Sequence, residues 1–185
     1  MRRRIVLLLL ALILVPAQAV RATTLARMSI EQMTAAASTV AKVRCLGNAA
    51  RWERGEIWTI TTFEVLEIWK GQAPPQISVR LMGGRIGNLA STVPGVPQFR
   101  PGEEAVLFLE PARAGGLTVT SWAQGTFRIR RDPRTGEERS TEDTAAWAVL
   151  DPVTREFRTS GLRNLPLGAL RGRVDAALEK DRSAP

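Results

Sequence analysis

The sequence predicts a mainly β fold, a small antiparallel OB-like β-barrel of about five to seven strands with a short N-terminal helix and a C-terminal amphipathic helix. Three observations predict this fold. Segments rich in Val, Ile and Thr recur between turn signals. One of these segments is long and changes its apolar phase, as a strand does when it bends around a small barrel. Helical periodicity is confined to the two ends of the domain.

The first elements are a helix and a strand. Ser29-Ile30-Glu31-Gln32 has the form of a capping box, and apolar residues follow it at helical spacing, which predicts a helix over 29–38. The Val-rich segment 39–46 alternates with polar residues and predicts a strand. The turn-forming pair Gly47-Asn48 is expected to close that strand.

The second predicted strand, 56–69, is much longer than the usual five or six residues. Its apolar residues lie at even positions, then odd, then even again: Trp58, Ile60, Phe63, Val65, Leu66 and Ile68. Such changes of phase indicate bends or bulges. Pro74-Pro75 breaks the chain before a third strand at 76–82.

Residues 83–104 form a long segment rich in Gly and Pro, in which a short strand is expected within 85–92. Loops of this length inside a small domain are usually functional. The segment Gly83-Gly84-Arg85-Ile86-Gly87 lacks the Gly-Lys-Ser/Thr of a phosphate loop, so its glycines are interpreted as relieving backbone crowding.

The remaining elements follow in order. The fully apolar strand 105–109 is expected to be buried on both faces. Strands are predicted at 117–122 and 126–130, the latter with Phe127 and Ile129 inward and its arginines outward. A hairpin return and an excursion are expected over 137–150. Apolar residues at spacings of three and four predict an amphipathic helix from 165 to about 180.

The first nineteen residues predict export. Three arginines precede an apolar run from Ile5 to Val15, and Ala17-Gln18-Ala19 has the form of a cleavage site. The expected organisation is a signal peptide at 1–19, a flexible N-terminus at 20–28, an OB-like domain at 29–150, and a linker with the C-terminal helix at 151–185. We expect a periplasmic or extracellular protein with no stable membrane span after cleavage.

The amino-acid composition limits the kinds of active site, metal site and disulfide that the chain can form. The chain has no His and one Cys, which removes His-based catalysis, ordinary His-rich zinc sites and an intramolecular disulfide. We therefore expect a non-enzymatic protein with no cofactor and no metal. Cys45 is interpreted as a small buried hydrophobe, with a disulfide-linked dimer as the alternative. The formal charge of +8 includes the three arginines of the predicted signal peptide.

Several of these segments together resemble a large group of uncharacterised secreted bacterial proteins. The resemblance spans roughly residues 25–135 and is carried by these segments: 58–71, the strand ending in Gly83-Gly84, 99–109 and 123–127. The first half is also similar to the netrin-like domain of tissue inhibitors of metalloproteinases, an OB-type barrel. Those inhibitors chelate the protease zinc through an N-terminal Cys, whereas the expected N-terminus here is Val20. The resemblance therefore implies the fold and not the inhibitory chemistry.

The leading functional hypothesis is a binding module for a protein partner, and fold analogy points to an extracellular peptidase. The contact surface would combine the 84–104 loop with the hairpin that carries Trp52, the Trp most expected to be exposed among five. Trp69 and Trp58 are expected in the core or at its rim, and Trp147 is a further aromatic candidate. The contact residues expected in the loop are Arg85, Ile86, Asn88 and Phe99.

An alternative places the site on the predicted arginine hairpin. Five arginines cluster there, of which Arg128 and Arg130 are the main candidates, and they would bind an anionic envelope glycan or lipid: Arg128, Arg130, Arg131, Arg134 and Arg139. Nucleic acid is not expected, because stacking aromatics at alternating positions are missing. A hydrolase that uses carboxylates alone is the third hypothesis, and it requires two acids with perturbed pKa in one pocket.

Overall fold

The computed structural model describes residues 26–146, 149–151, 153–158 and 161–183. The predicted signal peptide, residues 20–25 and Trp147 lie outside the described residues. Two α-helices lie near the ends of the described chain, α1 (Ile30–Ala36) and α2 (Leu167–Ser183). The strands are β1 (Thr39–Glu53), β2 (Glu56–Lys70), β3 (Gln76–Met82), β4 (Gly84–Ile86), β5 (Leu89–Ser91), β6 (Glu104–Pro111), β7 (Leu117–Val119), β8 (Thr126–Arg131), β9 (Glu138–Glu142), β10 (Val149–Leu150), β11 (Phe157–Arg158) and β12 (Leu165–Pro166). A 3-10 helix, Asp143–Ala146, follows β9.

Five strands form a ring, in which β1 pairs with β2, β2 with β3, β3 with β7, β7 with β6, and β6 again with β1. These pairings are antiparallel except for the single parallel bridge between β3 and β7. The sheet continues from β6 through β8, β9 and β12. The predicted mainly β fold, with a short helix near its N-terminal end and a C-terminal helix, is confirmed, and its sheet contains a ring of five strands.

The β1–β2 hairpin is longer than the sequence predicts. The expected turn at Gly47-Asn48 is wrong, because β1 continues to Glu53 and the chain reverses at Arg54-Gly55, whose φ angles of 51° and 86° suit a two-residue hairpin turn. The pairing register skips one residue at each of three positions, Leu46 on β1 and Leu66 and Trp69 on β2. The bulges expected in the long strand are therefore present and let it bend.

Two apolar clusters lie on opposite faces of the sheet. The first fills the inside of the ring and includes Phe63, Val79 and Leu107. The second lies between the outer face and the two helices and includes Met33, Phe108 and Leu170. Alternate residues of β6 enter the two clusters, so the prediction that 105–109 is buried on both faces is confirmed. Cys45 belongs to the first cluster and is 1% exposed, as expected of a small buried hydrophobe.

Helix α1 begins where the sequence indicates, whereas α2 begins at Leu167, two residues later than predicted, because Leu165–Pro166 pairs with β9 as β12. The capping box at Ser29 and Gln32 is present, with both of its hydrogen bonds formed. Helix α2 packs its buried Leu170 and Val174 against the outer cluster. Within the described residues, no helix has the length and apolar character needed to cross a membrane.

Two segments differ from expectation. The strand predicted over 117–122 ends at Val119, because Ser121 and Trp122 adopt positive φ angles of 50° and 52° and turn the chain. The segment 83–104 is only partly a loop. It contains a small hairpin, β4–β5, that reverses at Gly87-Asn88.

Candidate functional site: a cleft between two hairpins

The free end of the β1–β2 hairpin extends the inner face of the ring. In the register of this hairpin, Ala50 lies opposite Thr59 and Trp52 lies opposite Ile57, and directly opposed residues share a face. The small β4–β5 hairpin lies over this face. We call the space between residues 48–61 and 84–91 the double-hairpin cleft.

Gly84 makes the close approach of the two hairpins feasible. A Cβ atom added at Gly84 would lie 2.3 Å from Thr59 Oγ1 and 3.6 Å from the Cβ of Ala50. Its φ of 132° is also in a region that favours glycine. The main chain of β4 therefore rests directly on the β1–β2 hairpin, which fits the sequence interpretation that the glycines relieve crowding.

The crossing at Gly84 separates two cavities that share Met82. The inner cavity, about 240 Å³, lies towards the ring and is lined by Asn48, Thr59, Thr61, Arg85 and Phe99 among others. The outer cavity, about 270 Å³, lies at the end of the hairpin. Its lining is mostly apolar and is contributed by both hairpins and their flanks: Trp52, Gly55, Glu56, Ile57, Met82, Leu89, Ala90, Ser91 and Val93.

Three polar side chains of the inner cavity, Asn48, Thr59 and Thr61, are hydrogen-bonded within the cleft. Thr61 Oγ1 donates to Asn48 Oδ1 at 2.7 Å, and Asn48 Nδ2 donates to the carbonyl of Phe99 at 2.8 Å. Thr59 Oγ1 donates to the carbonyl of Gly83 at 2.7 Å. These bonds fix the 83–99 segment to the hairpin.

The outer cavity carries the two largest exposed apolar side chains of the cleft. Trp52 is 58% exposed and Leu89 is 60% exposed. They come from separate hairpins and border the same cavity. Exposed apolar side chains that meet around a concavity are a common mark of an interaction site.

Two exposed arginines lie beside residues of this cavity, because Arg54 precedes Gly55 in the turn and Arg85 is paired with Ala90 across the β4–β5 hairpin. Arg51, Arg54 and Arg85 are exposed and have no ion pair among the described residues. Glu53 is bound by Arg80 at 2.6 Å, and the Arg80 guanidinium hydrogen bond holds the pKa of the Glu53 carboxyl below its usual value. Within the described residues that line the cavity, Glu56 is the carboxylate that remains.

Of the residues predicted as contacts near the loop and the Trp52 hairpin, some border the cleft and one is buried in the core. Trp52 and Arg85 border the cleft, Ile86 is half-buried in β4, and Asn88 is exposed at the β4–β5 turn. Phe99 is 6% exposed and packs edge-on against Phe63, with ring centroids 4.9 Å apart. The expectation that Phe99 offers its ring to a partner is therefore wrong, since this ring belongs to the core.

Arg128 is engaged inside the protein and does not point freely outward. Its guanidinium forms a two-pronged pair with Asp143, at 2.6 and 2.8 Å, and binds Glu103 at 2.6 Å. It also donates to the carbonyl of Gln98 at 2.6 Å and lies over the ring of Phe99. Burial opposes the charge, but Asp143 and Glu103 outweigh it and raise the pKa of Arg128. The predicted outward position of this arginine is therefore wrong.

The other arginines of the β8–β9 hairpin are partly neutralised. Arg131 pairs with Glu138, and Arg139 pairs with Glu137. Arg130 is exposed beside a shallow polar cavity of about 460 Å³, and neither it nor Arg134 has an ion pair among the described residues. The candidate anion-binding face thus retains Arg130 and Arg134.

Two carboxylates, Glu142 and Asp143, border that polar cavity. Burial raises the pKa of the Glu142 carboxyl, although the Thr144 hydroxyl, the Leu162 amide and Arg27 act in the opposite direction. Both Glu142 oxygens accept these hydrogen bonds, and both Asp143 oxygens are bound by Arg128. The pair therefore holds neighbouring segments together. Among the described residues, no group of three or more side chains is placed to hold a metal ion.

No protein-family model matches the chain, and no curated protein matches it significantly.

Sequence reasoning missed Leu89, Ile57 and Met82 as residues of the cleft. Leu89 carried a usable signal, because it is a large apolar residue between the Gly87-Asn88 pair and the polar residues Ser91-Thr92. The pair Gly87-Asn88 is also a hairpin-turn signal that would have placed Leu89 at the start of a strand. Ile57 and Met82 carried no signal, because their places in the cleft depend on the crossing of the two hairpins.

Proposed function

We propose that this protein is an exported, non-enzymatic binding module that takes a protein partner in the double-hairpin cleft. The observation that carries the proposal is the meeting of Trp52 and Leu89, both more than half exposed, around one apolar cavity. Both cavities of the cleft are smaller than the roughly 300 Å³ at which pockets for small molecules begin. A side chain of a partner protein suits them better.

An extracellular peptidase is the partner that fold analogy favours. The ring of five strands supports an OB-like scaffold of the kind the sequence resembles. Any inhibition would use the cleft and not an N-terminal metal chelator, because the expected N-terminus has no cysteine.

The second candidate is an electrostatic binder of an anionic envelope glycan or lipid. Arg130, exposed beside the polar cavity, favours it. The ion pairs of Arg128, Arg131 and Arg139 weigh against it, because paired arginines attract an anion less. We therefore place this candidate second.

A pull-down tests the first proposal against the second. Residues 20–185 would be immobilised and exposed to envelope and culture-supernatant proteins at low and high salt. Wild type would be compared with Trp52→Ala/Leu89→Ser and with Val153→Ala, which removes an apolar side chain that is 89% exposed elsewhere. We expect a discrete protein that is still retained at high salt, although more weakly, that persists with Val153→Ala and that is lost with the double variant.

Equal retention by all three proteins would contradict the cleft as the contact surface. Anionic glycan or lipid vesicles that bind at low salt and are released by Arg130→Glu would instead favour the second candidate, since exposed charges are screened by salt.

A further inference from the structure

We infer that the double-hairpin cleft receives an extended acidic segment of the partner, which adds a strand beside β5 and places a large apolar side chain in the outer cavity. This inference rests on the proposed function and specifies the chemistry of the partner. Three features of the cleft carry it: an apolar cavity, an unpaired strand edge and an excess of positive charge.

The outer cavity fits one large apolar side chain. Trp52 and Leu89 form two sides of it, and Ile57, Met82 and Val93 complete its apolar lining. Ile57 is 4% exposed and is fixed by its place in β2, so the floor is rigid while the rim is open. An aliphatic or aromatic anchor would bury the exposed apolar surface of Trp52, as hot-spot anchors do.

The open edge of β5 favours an extended segment. Among the described strands, β5 pairs with β4 alone, and in this register the main-chain N–H and C=O of Ala90 point to its other edge without a strand partner. The three residues of β5, Leu89 to Ser91, line the outer cavity. A peptide paired with this edge would follow the cavity, since strand addition combines main-chain hydrogen bonds with pockets for alternate side chains.

The charge around the cavity favours an acidic segment. Arg51 and Arg54 flank Trp52 and the turn, and Arg85 lies on β4, all three without an ion pair in the described part of the chain. Glu53 is already bound by Arg80, which also lies 5.1 Å from the Trp58 ring centroid. Arg51 and Arg54 also attract the Glu53 carboxylate, and Glu56 is the second acid among the described residues at this end. Four arginines (51, 54, 80 and 85) against these two glutamates leave an excess of positive charge. Acidic residues beside the apolar anchor would thus be attracted, and basic ones repelled.

A peptide selection tests the inference without knowledge of the partner. Random short peptides displayed on phage would be selected on immobilised residues 20–185, and selected peptides would be synthesised for affinity measurements. We expect enrichment of Asp and Glu around one large apolar residue, relative to the unselected library. Trp52→Ala should weaken a selected peptide roughly thirtyfold or more.

Matched charge variants test the electrostatic part. Arg54→Glu/Arg85→Glu should weaken the peptide roughly tenfold, while Arg134→Glu, at the distant β8–β9 turn, should change affinity roughly twofold or less. Rising salt should weaken binding to wild type more than to the double variant. Slowed amide exchange of Ala90 upon peptide binding would report the added strand. Unfolding curves of all variants confirm that each one is folded.

The outcomes separate this inference from the proposed function. Selected peptides that are neutral or basic, or that bind Trp52→Ala as well as wild type, would overturn the inference. A selection without binders, together with a cleft-dependent partner in the pull-down, would also overturn it and leave the proposed function standing, with a folded surface as the partner. Loss of cleft dependence in both experiments would remove both proposals.

Discussion

At the scale of single residues, the absence of a side chain at Gly84 decides the geometry of the cleft. The main chain of β4 lies so close to β2 that a methyl group would clash with Thr59, whose hydroxyl also donates to the carbonyl of Gly83. A neighbouring glycine, Gly87, has a positive φ of 56° but open space around it. A side chain at Gly84 would therefore add a steric clash to an unfavourable φ, whereas a side chain at Gly87 would add an unfavourable φ alone.

Gly84→Ala should push β4–β5 away from the β1–β2 hairpin and enlarge the cleft. We expect a loss of about 2 kcal/mol in the free energy of unfolding, because clash and an unfavourable φ combine. Gly87→Ala should cost less, since it adds only strain. Urea unfolding of both variants measures this difference. Equal losses would show that the close approach at Gly84 is not what matters.

The exposure of a single side chain could be predicted from the sequence when the residue lies next to a turn. Trp52 was expected to be exposed near a hairpin end, and it is. Phe99 and Arg128 were expected at the surface, but each faces the other across a contact between distant segments. No local sequence pattern predicts that contact, because it forms only when the fold brings the 98–103 segment against β8.

At the scale of elements, the sequence predicted those whose signals are local. The capping box gave the start of α1, and Pro74-Pro75 gave the start of β3 at Gln76. The prediction of a turn at Gly47-Asn48 was wrong because a second turn signal, Arg54-Gly55, follows it. A turn at Arg54-Gly55 lets more residues pair in a longer hairpin. The Asn48 side chain, which would otherwise favour a turn, instead donates to the Phe99 carbonyl and accepts a hydrogen bond from Thr61 Oγ1.

Arg128 joins three elements and should be needed for their packing. It links β8 to the 3-10 helix through Asp143 and to the segment before β6 through Glu103 and Gln98. Arg128→Ala would leave both carboxylates without this partner, and we expect a loss of about 2 kcal/mol in unfolding free energy, limited by partial exposure. Arg130→Ala, at an exposed position two residues along the same face of the strand, should cost less than about 0.5 kcal/mol.

Chemical denaturation of the two arginine variants provides the measurement. Arg128→Lys should recover only part of the loss, because an ammonium cannot form the two-pronged pair. If Arg128→Lys kept the full stability of wild type, or if the Ala substitutions at 128 and 130 had equal effects, the contacts of Arg128 would not be what holds these elements together.

At the scale of the whole molecule, two carboxyl groups whose pKa values shift in opposite directions, Glu142 and Glu138, should shape the dependence of stability on pH. Burial raises the pKa of Glu142, so the folded protein binds this proton more tightly than the unfolded chain, where Glu titrates near about 4.3. Ionised Glu142 therefore costs stability above its folded pKa, and that cost disappears as the pH falls through the folded pKa. Hydrogen bonding to Lys42, opposed by burial and aided by Arg131, lowers the pKa of Glu138. Its contribution is complete above about 4.3 and is lost as the pH falls through its own folded pKa.

Two isosteric variants should reveal these opposite contributions. Glu142→Gln can keep hydrogen bonds to Thr144 and the Leu162 amide, so it should be more stable than wild type at neutral pH, with an advantage that shrinks on acidification. Glu138→Gln should be less stable than wild type at neutral pH, with a deficit that shrinks below about 4.3. Urea unfolding of the three proteins across this pH range measures both differences. A Glu142→Gln difference that does not change with pH would mean that the buried carboxyl titrates alike in the folded and unfolded chains.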